Sequence, residues 1–210
     1  MMKFGILIFD GVEELDFVGP WELLKLWSTL ADGPEECLIV SEHPRPIECA
    51  KGLSVNAHAT FADCPPLDYL LIPGGMGTRK EVTNTALLQF VSSQAENTTA
   101  LLSVCTGSFV LQAAGLLSGR KATTHWGSLD RLRAFDDTEV VEERFVRDGS
   151  VWTAAGISAG MDLMLAFIAD TAGETAAGKV QAQAEYYPAG GTYGDFAGTD
   201  SAPGYLKDVR

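Results

Sequence analysis

Ala100-Leu101-Leu102-Ser103-Val104-Cys105-Thr106-Gly107-Ser108 is the stretch that decides the fold. Its largely apolar start suits a strand buried on both faces, and at Cys105 it turns directly into an apolar helix reaching Leu117. The same strand–turn–helix rhythm recurs on either side. Phe4-Gly5-Ile6-Leu7-Ile8-Phe9 stops at Asp10-Gly11, and Leu15, Val18, Leu23, Leu24 and Trp27 follow at helical spacing. Asp68 to Ile72 stops at Pro73-Gly74-Gly75, with a helix predicted over Lys80 to Asn97. Further strands are predicted over residues 36–40, 53–57, 121–124, 139–146 and 150–154, and helices over 160–172 and 176–185. Strands alternating with helices of this length predict an α/β domain whose mostly parallel sheet is covered on both faces. Residues 1–188 make up that domain, and residues 189–210, rich in Gly, Tyr, Ala and Pro, form an irregular C-terminal tail belonging to it. In such sheets, sites form outside the carboxyl ends of the strands. Three turns lie there: Asp10 to Asp16, Pro73 to Gly77, and Cys105 to Gly107.

Composition removes several function classes. With 210 residues and 46% hydrophobic residues, the chain has a core to bury and is not disordered. A formal charge of −13 gives it no field that attracts a phosphate backbone, so a nucleic-acid partner is not expected. The N-terminus lacks a signal-peptide pattern and no long apolar stretch occurs, which predicts a cytoplasmic protein without a membrane partner. Four cysteines (Cys37, Cys49, Cys64 and Cys105) show no CxxC pair, and the three histidines are scattered, so no protein-built metal site is expected. Phosphate-loop, dinucleotide-fingerprint and zinc-protease motifs are absent.

Cys105 is the leading candidate for chemistry. A thiol at a strand–helix turn sits beside unpaired helix N-terminal N–H groups, which favour thiolate and lower its pKa. The same amides stabilise a developing anion, as in a nucleophile elbow. The competing reading is a small apolar filler at a strand end. Pro73-Gly74-Gly75 lets backbone approach a ligand, or is simply a turn. Asp16, at the start of a predicted helix, is either an N-cap or a carboxylate that exchanges a proton with the thiol. Glu13 and Glu14 are its neighbours and rivals, read as solvated loop charges. His125 ends a short strand and is structural or substrate-facing. The other three cysteines are read as structural.

Taken in order, Leu15-Asp16-Phe17-Val18-Gly19-Pro20, Ile72-Pro73-Gly74-Gly75, Ser103 to Ser108, Ala122-Thr123-Thr124-His125-Trp126 and Gly156-Ile157-Ser158-Ala159-Gly160-Met161-Asp162 resemble the PfpI branch of the class I glutamine amidotransferase-like superfamily. Within it they are most similar to the isonitrile hydratases, over about residues 3–188. The resemblance implies a flavodoxin-like three-layer sandwich, a homodimer, and Cys105 on the elbow. It implies Asp16 as the acidic partner of the thiol, with Thr106 orienting water and the amides of Gly75 and Thr106 forming an anion pocket. His125 stands as a further substrate-binding residue. The implied reaction is cofactor-free hydration of a small isonitrile to an N-substituted formamide through a covalent adduct on Cys105.

Two departures matter. Protease-like members carry His directly after the cysteine, where this chain has Thr106, which weakens a peptidase reading. The segment Tyr186-Tyr187-Pro188-Ala189-Gly190-Gly191 lacks a Pro-Pro-Phe element associated with the hydratases, which leaves substrate identity open. Two other readings remain. One is a non-catalytic ligand or oxidation sensor, because the same domain is the sensor half of AraC-type regulators; their C-terminal DNA-binding units are not present before Arg210. The other is glyoxalase- or deglycase-like chemistry on the same cysteine.

Overall fold

The computed structural model describes residues 1–188, 193–194 and 196–207. In chain order the elements are β1 (Lys3–Leu7), α1 (Glu14–Leu30), β2 (Glu36–Ser41), β3 (Ile47–Glu48), β4 (Ser54–Val55), β5 (Ala59–Thr60) and β6 (Tyr69–Ile72). There follow α2 (Thr78–Glu81), α3 (Thr85–Ala95), β7 (Ala100–Val104), α4 (Ser108–Ala113), β8 (Arg120–Ala122), α5 (Leu129–Arg133) and β9 (Thr138–Val140). The last are β10 (Phe145–Asp148), β11 (Val151–Ala154), α6 (Ala159–Ala172), α7 (Glu174–Gln183) and α8 (Gly204–Lys207). A seven-stranded sheet runs in the order β10-β11-β7-β6-β1-β2-β5, and every pair in it is parallel except β10 with β11. Helices α1, α6 and α7 pack together on one face, and α3 and α4 lie on the other, giving the three-layer, flavodoxin-like sandwich.

Burial explains why the central strands read as continuous apolar runs. All residues of β6 and β7 are buried, as are Phe4, Ile6 and Leu7 of β1. Beneath α6 the ring of Phe167 meets Tyr69, Trp152, Trp27 and Phe4 edge-on, at centroid distances of 5.1, 5.6, 6.2 and 6.2 Å. Edge-to-face packing of this kind joins the helical layer to the sheet at one aromatic hub.

Several predicted boundaries shift for local reasons. The helix expected over 80–97 is two, because the Asn84 side chain accepts from Ala86 N (3.1 Å) and Leu87 N (3.3 Å) and starts α3 afresh. The helix expected from Cys105 to Leu117 is a 3-10 turn over Cys105–Gly107 and a short α4, which ends before Gly115 (φ 74°). The strand expected over 139–146 divides between β9, which pairs with β8, and β10, which edges the main sheet. The strand expected over 53–57 shrinks to β4 in a small hairpin with β3. The tail expected to be irregular over 189–210 lies in part outside the described residues. Its described part forms a 3-10 turn at Phe196–Gly198 and the single turn of α8. It folds back on the body through Phe196 against Trp126 (5.2 Å) and Gly204 N donating to Glu142 Oε2 (3.2 Å).

The strand order reverses between β1 and β6: the chain first builds outward through β2 and β5, then returns to the other side of β1. The crevice at that switch point is where the Asp10–Asp16, Pro73–Gly77 and Cys105–Gly107 turns meet. The approach of β6 and β7 there leaves no room for a side chain at Gly107, where a Cβ would lie 2.1 Å from the Ile72 carbonyl oxygen. Gly107→Ala is therefore expected to destabilise the fold by about 2 kcal/mol or more, since rigid backbone is the obstacle. Urea unfolding checks this, and a midpoint equal to wild type would contradict it.

Candidate active site

Cys105 has φ of 57°, while Val104 before it is extended (φ −120°, ψ 140°). A non-glycine residue in the left-handed region costs about 1–2 kcal/mol and persists only where its surroundings hold it. Here Cys105 N donates to the Ala155 carbonyl (2.9 Å), and its own carbonyl accepts from Thr124 Oγ1 (2.9 Å) and Ser108 Oγ (3.2 Å). The close approach of the next loop requires glycine: a Cβ at Gly74 would lie 2.5 Å from Thr106 N and 2.8 Å from the Cys105 Cβ. The turn is a nucleophile elbow, with the thiol buried at the carboxyl end of β7.

Asp16, in the first turn of α1, is fully buried and does not cap the helix; Glu13 holds the N-cap position. Asp16 Oδ2 accepts from Gly74 N at 2.8 Å. Its Oδ1 has no other partner among the described residues, and the carboxyl lies beside the Cys105 thiol. Burial pushes the Asp16 carboxyl up to about 7, against the smaller opposing effect of the Gly74 amide. Burial likewise pushes the thiol up to about 12, reinforced by the Asp16 charge. The amides of Thr106 and Ile157 and the Thr106 side chain favour thiolate, but less strongly. This corrects the expectation of a lowered thiol pKa. The turn's N–H groups are in place, and burial beside a carboxylate outweighs them. The two groups titrate as a unit that carries one negative charge and one proton above about pH 7.

The remaining candidates are distributed unevenly. Thr106 Oγ1 accepts from Gly75 N (3.0 Å) and lies 3.1 Å from Thr78 Oγ1. The Gly75 amide, expected to be free for an anion, is therefore engaged by Thr106, while the first glycine of the turn, Gly74, reaches Asp16. The ring of His125 accepts from Gly127 N at Nδ1 (3.1 Å) and sits over Gly156, where a Cβ would be 2.3 Å from Cδ2. Burial lowers its pKa, so a neutral ring forms a wall of the pocket and makes no hydrogen bond to Cys105. Glu13 lines the same pocket and is paired with Lys51 instead of standing in solvent. Glu14 Oε1 accepts from Lys51 N (2.7 Å), so it braces the hairpin loop. Cys37, Cys49 and Cys64 are free thiols away from this pocket.

Ile157 was not legible as a site residue. Its φ is 51°, and its amide points at the sulfur of Cys105. Arg144 braces that turn: its Nη2 donates to Ser158 Oγ (2.9 Å), its Nε to Asp162 Oδ2 (2.6 Å), and its carbonyl accepts from Ala155 N (3.0 Å). Tyr186 OH closes the brace on Asp162 Oδ1 (2.9 Å). The one signal was the small-residue run from Ala154 to Gly160, which permits such a turn but does not name the residue. The cavity over Cys105 and Thr106 has a volume of about 300 Å³ and is walled by Glu13, Met76, Arg79, His125 and Ile157. Among the described residues no cluster of His, Cys, Asp or Glu is arranged to hold a metal, and no helix is long and apolar enough to cross a membrane.

This fold and elbow are those of the DJ-1/PfpI family, to which the chain belongs; the family's sequence profile matches residues 2–170. The chain is 38% identical to an isonitrile hydratase of Pseudomonas putida over 207 residues, covering 99% of this chain and 87% of that protein. It is 32% identical over 181 residues to the HTH-type transcriptional regulator CdhR of Pseudomonas aeruginosa, covering 86% of this chain and 54% of the regulator. A THiJ/PfpI family protein from Pseudomonas syringae superposes with a TM-score of 0.86 at 33% identity, covering 98% of this chain and 83% of that one. Drosophila melanogaster DJ-1beta, at 17% identity, shares the fold with a TM-score of 0.78 over 89% of this chain and 99% of its own.

A buried carboxyl with a raised pKa has a consequence for stability. Asp16 is protonated more readily in the folded than in the unfolded chain, so its effect on stability is least unfavourable below about pH 4 and worsens as pH rises to about 7. Asp16→Asn does not titrate and keeps an oxygen for the Gly74 amide. The variant should gain on wild type between pH 5 and pH 8, by at most about 3 kcal/mol. Melting temperatures of both proteins across that range test it; a constant difference would show that Asp16 is not protonated near neutrality.

Proposed function

We propose that this protein is a cofactor-independent hydratase that adds water to a small isonitrile, giving an N-substituted formamide through an adduct on Cys105. The observation that carries the reading is the buried Asp16–Cys105 pair, a nucleophile next to a carboxyl whose pKa of about 7 lets it both take and return a proton. The similarity to the Pseudomonas putida isonitrile hydratase over nearly the whole chain supports the same chemistry.

The steps balance with these residues alone. Asp16 takes the thiol proton as the sulfur attacks the terminal isonitrile carbon, and that carbon acquires the proton, leaving R–N=CH–S–Cys105. The amides of Thr106 and Ile157 stabilise the thiolate as it forms. Water, positioned by Thr106 and deprotonated by Asp16, then adds to the C=N carbon while nitrogen gains a proton. Collapse of R–NH–CH(OH)–S–Cys105 releases R–NH–CHO, and the sulfur regains its proton. His125 contributes a neutral wall to the pocket. In the same reading the enzyme works in the cytoplasm as a homodimer. The similarity to CdhR favours a second reading, a ligand-sensing domain without turnover.

Formamide release from cyclohexyl isonitrile, followed by chromatography, tests the proposal. Cys105→Ala should reduce turnover to background, and Asp16→Asn should lower kcat by about a hundredfold to ten-thousandfold. Full turnover by Cys105→Ala would overturn the covalent route, and saturable binding of isonitriles without formamide would favour the sensor.

The pH dependence has a definite sign. Asp16 must be unprotonated to accept the thiol proton, so kcat/KM should fall about tenfold per pH unit below about pH 7 and level off above it. A profile flat from pH 5 to pH 8 would remove Asp16 from the base role.

A further inference from the structure

We infer that the Cys105 pocket selects a substrate carrying an anionic group, such as a carboxylate, on its R substituent, and that Arg79 reads that group. The inference rests on the Cys105 site taking a small electrophile, and it specifies which kind.

Arg79 belongs to the wall of the roughly 300 Å³ cavity over Cys105, and among the described residues it is the only cationic side chain there. Its state differs from that of the other described arginines. Arg45, Arg120, Arg133, Arg144 and Arg147 each meet a carboxylate within 4 Å, and Arg131 lies 4.5 Å over the Phe109 ring. Among the described residues Arg79 has neither kind of partner. Among the described residues its one side-chain hydrogen bond is Nη1 to the Met76 sulfur at 3.0 Å, a weak acceptor that leaves the rest of the guanidinium fork unfilled. In a chain with 28 acidic and 15 basic residues, an arginine without a carboxylate partner is conspicuous.

The other charges of the pocket do not compete for it. Glu13 shares the cavity wall but is bound to Lys51, and the His125 ring is neutral. The net charge of −13 repels anions at long range, so any preference for them must come from a short-range contact inside the cavity. A planar guanidinium binds a carboxylate through two parallel hydrogen bonds, which also fixes its orientation. Held at Arg79, such a group directs the other end of a short molecule into the cavity that ends at Cys105. The thioether of Met76, 65% exposed beside it, offers a deformable apolar surface for the connecting carbons.

Two haloacetyl reagents test this without assuming any hydration. Cys105 displaces iodide from iodoacetate (anionic) or iodoacetamide (neutral), forming an S–CH2 bond as the C–I bond breaks and iodide leaves with the electron pair. Peptide-level mass spectrometry separates Cys105 from the other thiols. The rate ratio of iodoacetate to iodoacetamide cancels differences in thiol reactivity between variants. It should fall at least about threefold in Arg79→Gln, fall further in Arg79→Glu, and return towards wild type in Arg79→Lys. A ratio unchanged across these variants would overturn the inference. A parallel assay compares isocyanoacetate with its methyl ester, and Arg79→Gln should raise KM for the anion more than for the ester. If neither isonitrile is hydrated while the alkylation ratio still follows Arg79, the anion site stands and the hydration reading fails. If both are hydrated with an unmoved ratio and equal KM changes, hydration stands and the anion site fails.

Discussion

Everything at the crevice follows from one contact: a carboxyl removed entirely from water, held by the Gly74 amide and placed against a thiol. Isolated, a buried carboxylate is too costly to keep, so it either protonates or finds donors. Asp16 has one backbone N–H on Oδ2 and no hydrogen-bond partner on Oδ1 among the described residues, and its burial beside the thiol raises its pKa to about 7. To bring this about, the first turn of α1, the loop after β6 and the turn after β7 must converge from three separate strand ends. Only the strand order around β1, with its reversal at β6, makes those ends neighbours.

The convergence also fixes where side chains are forbidden. Gly74 and Gly107 are required because backbone passes backbone at distances that leave no room for a Cβ. The left-handed conformations of Cys105 and Ile157 are the corresponding strain, and both belong to residues whose backbone or side chain reaches the sulfur. Strain of this sort survives only under restraint. Thr124, Ser108 and Ala155 restrain Cys105, while the Arg144–Asp162–Tyr186 brace, joined by Ser158, restrains the turn at Ile157. A network of this kind holds the geometry around a reactive group in place.

The sheet and the elbow were legible because they depend on local signals: apolar runs of strand length stopped by Asp-Gly, Pro-Gly-Gly and Cys-Thr-Gly. The ends of elements were less so, since Asn84 divides a continuous helical pattern through a side-chain cap that competes with propagation. At the site, Cys105, Asp16 and Thr106 carried recognisable signatures. The pairing of the Gly74 amide with Asp16 and of the Gly75 amide with Thr106 did not, because it is a matter of loop geometry. The pKa of Cys105 was misjudged for a similar reason. Helix-terminal amides can be read from a sequence, whereas burial beside a particular carboxylate comes from packing across three strands.

That electrostatic arrangement bears on which reactions the pocket supports. Amide cleavage through a cysteine needs one group to activate the nucleophile and an acid to protonate a departing amine. Here the position after the cysteine is Thr106, and the histidine of the pocket is a neutral ring tied to Gly127. A single carboxyl that exchanges one proton near neutrality is poorly equipped for that task. It is well matched to addition across a carbon that gains a proton and loses no group, followed by release of the same sulfur that attacked. In such a cycle the proton taken from the thiol and those taken from water all reach the product or return to sulfur, so one carrier beside the thiol is enough. Among the described residues Asp16 is the one carboxyl whose charge acts on the Cys105 thiol, which is consistent with an addition site and places the burden of selectivity on the walls of the cavity.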